Sequence, residues 1–175
     1  MKIAAIDIGS NAIRLLIEEI RNKSGKPYVE KVSLTRVPIR LGEDVFRSGE
    51  IPPKKVKQLV MTMRAFWYLM EVHGVEHFRA CATSAMRDAK NRDAVLSTIK
   101  AESAIDIEVL SGETEAELIY GNYISQQLDK KCNYLFIDVG GGSTELTYIV
   151  RGVRVKSQSF NIGAVRALEQ KIQKK

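Results

Sequence analysis

The strongest constraint on the fold of this chain is a glycine-rich turn between two apolar segments, within residues 133–150. Tyr134–Ile137 is an apolar run typical of a buried strand, and Asp138 follows it directly. Gly140–Gly142 then interrupt the pattern, and Glu145 opens a second, alternating strand. Consecutive glycines permit positive φ and carry no Cβ, so backbone N–H groups can converge on an anion. For this stretch alone, a glycine-rich hairpin without a ligand would be the simpler interpretation.

The same pattern occurs near the N-terminus, and the repetition favours a functional turn. Lys2–Ile6 is an apolar strand that leads into Asp7, and Arg14–Ile17 is the next strand. Aligning Asp7 with Asp138 also pairs the positions that follow: Gly9 with Gly140, Ser10 with Gly141, Ala12 with Ser143 and Arg14 with Glu145. Two such hairpins predict two related lobes that face each other across a phosphate.

Acidic side chains beside a phosphate predict a metal ion. Asp138 and Glu145 flank the second turn with negative charge, and Asp7 takes the matching place in the first. They would repel a phosphate unless a hard cation such as Mg²⁺, which takes oxygen ligands, lay between them. In the structural alternative, Asp138 and Asp7 only bind the amides of their own turns. Arg14 also has two interpretations, since it either contacts phosphate or pairs with Glu18.

Composition limits the classes of partner. The chain has 175 residues, of which 45% are hydrophobic and 27% charged, as in ordinary globular proteins. The net charge of +6 fits an anionic ligand, but a nucleic-acid site would need a basic stripe with aromatic platforms, and neither is evident. Cys81 and Cys132 lack metal-binding spacing and are expected to be reduced thiols. With no signal peptide and no membrane-length apolar run, we expect a cytoplasmic protein.

The remaining pattern alternates strands and helices. After a return strand at residues 28–35, the predicted elements are a loop at 36–53, a helix from Pro53 to about Val72, a strand at 78–82, a helix from Ala85 to about Ser103, a strand at 105–110 and a helix from Glu113 to about Leu128. This order predicts an α/β lobe with a mixed central sheet flanked by helices at residues 1–131. Residues 132–175 repeat its opening strands and first helix, so we expect the start of a second, similar lobe.

A three-stranded opening with an acid–glycine turn, used twice, resembles the actin-like ATPase fold of Hsp70 and the sugar kinases, a ribonuclease H-like architecture. Four segments more specifically resemble the exopolyphosphatase / guanosine pentaphosphate phosphohydrolase family: Asp7–Asn11, Ala82–Ala89, Ser111–Ala116 and Ile137–Glu145. The resemblance covers essentially the whole chain. In this family a terminal phosphate of polyphosphate or of a guanosine polyphosphate is hydrolysed with Mg²⁺ in the cleft between the lobes.

The resemblance implies roles by position. Glu115 resembles the carboxylate that activates the attacking water, and Arg87 resembles the residue that neutralises the phosphoryl oxygens. Asp138 and Glu145 resemble the acids that hold the metal or the water. The phosphate-binding positions would be Ser10, Asn11, Arg14, Gly140, Gly141, Gly142, Ser143 and Thr144. These roles meet the demands of phosphoryl transfer, which needs an aligned phosphate, neutralised charge and an oriented water.

Each catalytic assignment has a structural alternative. Glu115 lies in the first turn of a predicted helix, where the helix dipole favours a carboxylate in any case. Arg87 is the reverse case, because a cation in the first turn opposes the dipole. Asp88 beside it would compensate, yet a violated local rule is expected at a functional position.

Three positions depart from the family pattern. The family often has Ser-Gly-x-Glu-Glu-Ala-Arg, whereas Thr114 and Glu117 replace the first Glu and the Arg here. Thr114 removes a capping-box partner of Ser111, and Glu117 reverses a charge. Ala12 replaces a common serine and removes a hydroxyl from the first turn.

We therefore expect a Mg²⁺-dependent phosphohydrolase of polyphosphate, guanosine pentaphosphate or both. The alternatives are an ATPase or sugar kinase of the same fold, and a non-catalytic sensor of guanosine polyphosphates. Because family members carry a complete second lobe, we expect the chain to be a fragment. Without the rest of that lobe, the second hairpin would expose an apolar face and unpaired edges. In the alternative, the hairpin packs against the first lobe or against a second copy of the chain in a homodimer.

Overall fold

Two sheets, each opened by an antiparallel hairpin, organise the chain. The computed structural model describes residues 1–125 and 128–173. The first sheet contains β1 (Lys2–Ile8), β2 (Ile13–Lys23), β3 (Lys26–Val37), β4 (His77–Ala82) and β5 (Glu108–Val109). Its order is β3-β2-β1-β4-β5, with β1 antiparallel to β2 and parallel to β4. This mixed sheet with flanking helices confirms the predicted α/β class.

Four helices contribute side chains to the core of the first sheet: α1 (Leu41–Ser48), α2 (Pro53–His73), α3 (Ser84–Asp88) and α4 (Arg92–Ser103). A fifth helix, α5 (Gly112–Ser125), packs against the second sheet. Apolar side chains of β1 and β2 share one buried cluster with α2 and α4, including Ile6, Leu15, Met63, Phe66 and Ile99. Among the residues that the structure describes, no helix is both long and apolar enough to cross a membrane.

The second sheet repeats the first hairpin. It contains β6 (Asn133–Val139), β7 (Thr144–Val150) and β8 (Val153–Phe160), in that order, and α6 (Ala164–Gln173) follows. The cross-strand pair Asp7–Arg14 corresponds to the pair Asp138–Glu145. The turn hydrogen bond from the Gly9 amide to the Ala12 carbonyl (3.1 Å) corresponds to the one from the Gly140 amide to the Ser143 carbonyl (2.9 Å). This register confirms the alignment of the two copies.

The predicted loop at 36–53 was wrong, because it contains α1. The side chains of Leu41 and Val45 are buried on one side of this short helix. Gly42 lies inside the helix at a point of close packing. A Cβ there would be 2.8 Å from the Phe46 ring of the same helix and 3.1 Å from the side chains of Ser10 and Val165. A small residue at this position therefore allows α1 to lie close to the first turn and to α6.

The predicted helix from Ala85 to Ser103 is two helices, α3 and α4. Ala89 has extended backbone (φ −68°, ψ 124°), which ends α3. The side-chain amide of Asn91 then binds both backbone groups of Ile51. Its Oδ1 accepts from the Ile51 N–H (3.0 Å), and its Nδ2 donates to the Ile51 carbonyl (2.9 Å). The helix is therefore interrupted at this point, where Asn91 binds a segment that is distant in sequence.

Two further boundaries differ from the sequence analysis. The predicted strand at 105–110 pairs only at Glu108–Val109, while Ile105 and Ile107 are buried in the core. The predicted helix to Leu128 is described as far as Ser125, and residues 126 and 127 lie outside the described residues.

One face of the second sheet is open. Leu135, Ile137 and Val139 of β6 are 56%, 60% and 62% exposed. Their counterparts in β1, which include Ile6, are buried at 8% exposure or less. The opposite face packs against α5 and holds the buried side chain of Ile149. The two copies therefore share backbone geometry but differ in what covers them.

Matched alanine substitutions measure this difference. Ile6→Ala is expected to destabilise the chain by about 2–5 kcal/mol, because it empties a buried site. Ile137→Ala, at the corresponding exposed position, is expected to change stability by less than about 0.5 kcal/mol. Urea unfolding of both variants measures the two free energies. Equal losses would mean that the β6 face is covered in solution.

Candidate active site

The two hairpin turns face each other across a cleft of about 380 Å³. The predicted site residues that line it are Asp7, Ser10, Asn11, Arg14, Glu115, Asp138, Gly140, Gly141 and Ser143. Ala12, Ser84 and the start of α6 at Ala164 and Val165 also contribute to its walls. Tertiary structure thus brings most of the predicted residues from both hairpins into one concave site.

Four predicted site residues lie behind the cleft or beside it. Gly142 packs against Ser84 and Phe46, and the Thr144 hydroxyl donates to the Ile162 carbonyl. Glu145 is buried, and its Oε1 accepts a hydrogen bond from the Ser159 hydroxyl (2.8 Å). Arg87 borders a neighbouring polar groove and reaches Glu115.

Helix N-termini hold the carbonyl groups of both turns. In the first turn, the Ser10 carbonyl accepts from the Gly42 amide (2.8 Å), and the Asn11 carbonyl accepts from the Arg40 amide (2.9 Å). Both donors lie at the start of α1. The orphan amides of a helix N-terminus therefore satisfy carbonyls that the turn itself leaves unpaired.

The second turn is held in the same way by α6. The Gly140 carbonyl accepts from the Ala164 amide (3.0 Å), and the Gly141 carbonyl accepts from the amides of Val165 (2.9 Å) and Arg166 (3.0 Å). In a trans peptide the C=O and the following N–H point in opposite directions. Anchoring these carbonyls to α6 therefore turns the following amides away from that helix.

Two amides of the second turn lie at the cleft without an acceptor among the described residues. Within residues 1–125 and 128–173, the structure records no acceptor for the amides of Gly141 and Ser143, which line the cleft, or of Gly142, which lies behind it. Successive free N–H groups in a turn form an anion-binding concavity. Inorganic phosphate matches this chemistry in charge and in number of acceptor oxygens.

Close packing explains the glycines of the second turn, and positive φ does not. None of Gly140–Gly142 is among the glycines with positive φ. A Cβ on Gly141 would lie 2.9 Å from the Ser10 side chain, and one on Gly142 would lie 2.4 Å from Phe46 and Ser84. Of the two properties of glycine, the turn therefore uses the missing Cβ: Gly141 packs against the first turn, and Gly142 packs against α1 and α3.

Glu115 occupies an unusual environment on the first turn of α5. Its Oε2 is buried and has no hydrogen-bond partner among the described residues. Arg87 Nη1 lies 3.5 Å from this oxygen, an ion-pair distance. Burial, followed by the nearby charge of Glu145, raises the pKa of Glu115 to about 7, although Arg87 opposes the shift. A carboxyl group with this pKa exchanges protons near neutral pH.

The departures on α5 have structural explanations. The Ser111 hydroxyl accepts from the Thr114 amide (3.1 Å) and lies 3.0 Å from the Thr114 hydroxyl, so Thr114 retains a cap. Glu117 pairs with Arg154 at 3.0 Å on the surface and does not line the cleft.

Arg14 pairs with Asp7 rather than with Glu18. Its Nη1 lies 2.9 Å from Asp7 Oδ2, directly across β1 and β2. Burial raises the pKa of Asp7, an effect that the Arg14 guanidinium partly offsets. The pair lines the cleft, so it would meet any bound phosphate.

The cleft offers few protein ligands for a metal ion. No group of three or more His, Cys, Asp or Glu side chains placed to hold a metal occurs in the described part of the chain. Asp7 and Asp138 line the cleft, and Glu145 does not. Mg²⁺ is commonly bound through one or two carboxylates, with phosphate oxygens and waters completing its shell. This sparse set of oxygen donors fits that requirement.

Sequence reasoning missed Arg166, which joins the second turn to α1 and α3. Its Nε donates to the Gly142 carbonyl (2.7 Å), and its Nη2 donates to Asp88 (2.5 Å). The guanidinium also stacks over Phe46, 4.1 Å from the ring centre. A lone arginine in a predicted helix gives no such signal, because all three partners are distant in sequence.

The mixed sheet, the repeated hairpin and the cleft between them define an actin-like ATPase fold. Residues 16–175 match the Ppx/GppA phosphatase family, and the chain belongs to that family. These findings confirm the predicted family and fold.

Similar proteins extend beyond this chain. It is 33% identical to "Exopolyphosphatase 2" of Mycobacterium tuberculosis, over 96% of the chain and 54% of the relative. Among solved structures, an exopolyphosphatase from Cytophaga hutchinsonii matches with a TM-score of 0.85 and 30% identity, over 97% of this chain and 53% of that one. The Aquifex aeolicus member of the Ppx/GppA family matches with a TM-score of 0.78 and 29% identity, over 93% and 52%. The chain thus spans about half the length of these relatives.

The Glu115 carboxyl is expected to titrate with a midpoint near 7 in the ligand-free protein, which ¹³C NMR of its side chain measures directly. Glu145→Gln should lower this pKa, because it removes a nearby negative charge. Glu117→Gln, on the same helix, should leave it unchanged. A midpoint near 4.5 in the wild type would contradict the buried environment.

The same shift affects stability. The pKa of Glu115 is higher in the folded chain than its ordinary value of 4.5, so the folded state binds this proton more tightly. The free energy of unfolding should therefore fall as pH rises from about 4.5 through 7, the two pKa values. Glu115→Gln should remove this part of the pH dependence, as urea unfolding at several pH values would show.

Proposed function

We propose that this chain carries the catalytic cleft of a phosphohydrolase that releases the terminal phosphate of inorganic polyphosphate. The observation that carries the proposal is the environment of Glu115. Its Oε2 is buried beside Arg87, and its side chain lines the same cleft as Gly141 and Ser143, whose amides have no recorded acceptor among the described residues. A base with a pKa near neutrality, next to an anion site, suits activation of a water molecule.

The roles follow from the contacts. The amides of the second turn and the residues of the first turn hold the terminal phosphate between the hairpins. Glu115 accepts a proton from the attacking water, which its pKa of about 7 permits near neutral pH. Arg87, 3.5 Å from Glu115, neutralises charge on the phosphoryl oxygens. Glu145 acts through Glu115, because its charge helps to raise that pKa.

Mg²⁺ is part of this proposal. Asp138 and Asp7 would hold it, since both line the cleft and both offer carboxylate oxygens. The ion would neutralise phosphate charge that the two acids would otherwise repel. Arg14, paired with Asp7, adds a further positive group at the same wall.

Polyphosphate is the favoured substrate, and guanosine pentaphosphate is the alternative. Three of the proteins similar to this chain carry the name exopolyphosphatase or belong to the Ppx/GppA family. The described cleft is lined by small and charged side chains, with no aromatic ring on which a guanine would stack. A chain of phosphates needs only amides and cations along the wall.

The open face of the second sheet supports a further part of the proposal, the second lobe. In the first lobe, the edge of β1 pairs with β4, and α2 and α4 cover Ile6 and its neighbours. At β6 the corresponding edge is unpaired among the described strands, and Ile137 is exposed. We propose that residues 132–175 open a second lobe, which needs a parallel strand and helices on this face. A homodimer that covers the same face is the alternative.

Phosphate release from polyphosphate and from guanosine pentaphosphate, with and without Mg²⁺, tests the function. It should be measured on this chain and on its fusion to the second half of the Cytophaga hutchinsonii exopolyphosphatase. We expect release by the fusion only, from polyphosphate, and only with metal. Glu115→Gln in the fusion should lower the rate by about 10²–10⁴-fold, the usual contribution of a general base.

Glu117→Gln is the matched control, since Glu117 lies on the same helix but pairs with Arg154 away from the cleft. Its rate should equal that of the wild type. Hydrolysis of ATP but not of polyphosphate would favour the ATPase or kinase alternative. Tight binding of guanosine pentaphosphate without release would favour the sensor.

A further inference from the structure

The side chain of Arg166 completes the hydrogen bonds that hold the carbonyl groups of the second turn. Backbone amides of α6 hold the carbonyls of Gly140 and Gly141. The third successive carbonyl, that of Gly142, is held by the Arg166 side chain at 2.7 Å. Three consecutive carbonyls are thus fixed from one side.

Holding the Gly142 carbonyl also fixes the Ser143 amide. The two groups belong to one planar trans peptide, so they point in opposite directions. Ser143 lines the cleft, and its amide has no acceptor among the described residues. Rotation of this peptide would turn a donor away from the anion site and a carbonyl oxygen toward it.

The same guanidinium connects the turn to the first lobe. It donates to Asp88, which ends α3 and follows Arg87 in sequence. It stacks on Phe46 of α1, the helix that holds the first turn. Only 15% of its side chain is exposed, so these contacts are shielded from water. The Arg166 guanidinium therefore contacts the second turn itself, the helix α1 that holds the first turn, and the helix α3 that carries Arg87.

We propose that Arg166 is a positioning residue of the phosphate site. It orients the Ser143 amide toward the bound phosphate and holds α3 against the second turn. The proposal rests on the function proposed above, in which these amides bind the terminal phosphate. Arg166 itself does not line the cleft and need not contact the substrate.

The test compares Arg166→Met with Arg154→Met in this chain. Arg154 is a suitable control because it also makes an ion pair and an aromatic contact, with Glu117 (3.0 Å) and Tyr120 (5.6 Å). These contacts lie between α5 and β8, away from the cleft. Both variants are studied at temperatures well below their unfolding transitions.

Two readouts are needed. The residual dipolar coupling of the Ser143 N–H reports its orientation without ligand, and titration with inorganic phosphate gives the Kd. Arg166→Met should change the coupling and raise the Kd about tenfold, the effect of losing one well-placed donor to a charged ligand. Arg154→Met should change neither. Arg166→Lys should give changes in coupling and Kd between those of the two methionine variants. An ammonium group can replace one contact of Arg166 but not its planar guanidinium fork.

The outcomes separate the two proposals. An unchanged Ser143 coupling in Arg166→Met overturns the positioning role, whatever the Kd. A changed coupling with an unchanged Kd overturns it as well, because the amide would then not bind phosphate. A wild-type chain that binds no phosphate contradicts the proposed function, while the coupling still decides whether Arg166 orients the peptide.

Discussion

The geometry of the cleft depends on how the carbonyl groups of its two turns are satisfied. At the tip of each turn, no neighbouring strand among those described donates to the turn carbonyls, so another part of the chain must supply the N–H donors. The N-termini of α1 and α6 do so, at Gly42 and Arg40 in one copy and at Ala164 and Val165 in the other. Because peptide groups are planar, anchoring the carbonyls outward leaves the amides for a ligand. The proposed anion site is thus a consequence of how the turns are packed.

Electrostatics at the site follow from the same packing. Close packing leaves no room for a Cβ on Gly141, against the first turn, or on Gly142, against α1 and α3, and Glu115 is enclosed near Glu145. An enclosed carboxylate beside a second one holds its proton more tightly, and Arg87 only partly compensates. The fold therefore maintains a group that is costly to ionise at the place where a proton acceptor is useful.

The two copies of the hairpin show how one local pattern leads to two states of burial. Ile6 and Ile137 occupy the same position in the repeat, yet one is 1% exposed and the other 60%. Helices α2 and α4 make the difference, since they cover the first sheet alone. An apolar face of this kind on a sheet with an unpaired edge calls for a partner segment.

The sequence by itself determined the repeated hairpin, its register and the residues at both turns, because strand periodicity and glycine–acid spacing are local signals. It did not determine that 85–103 forms two helices, since Asn91 is held by distant Ile51. Nor did it reveal the pairing of Arg14 with Asp7, or the contacts of Arg166 with the second turn. Only tertiary structure decides such features, because they depend on which distant groups meet and how much water is excluded.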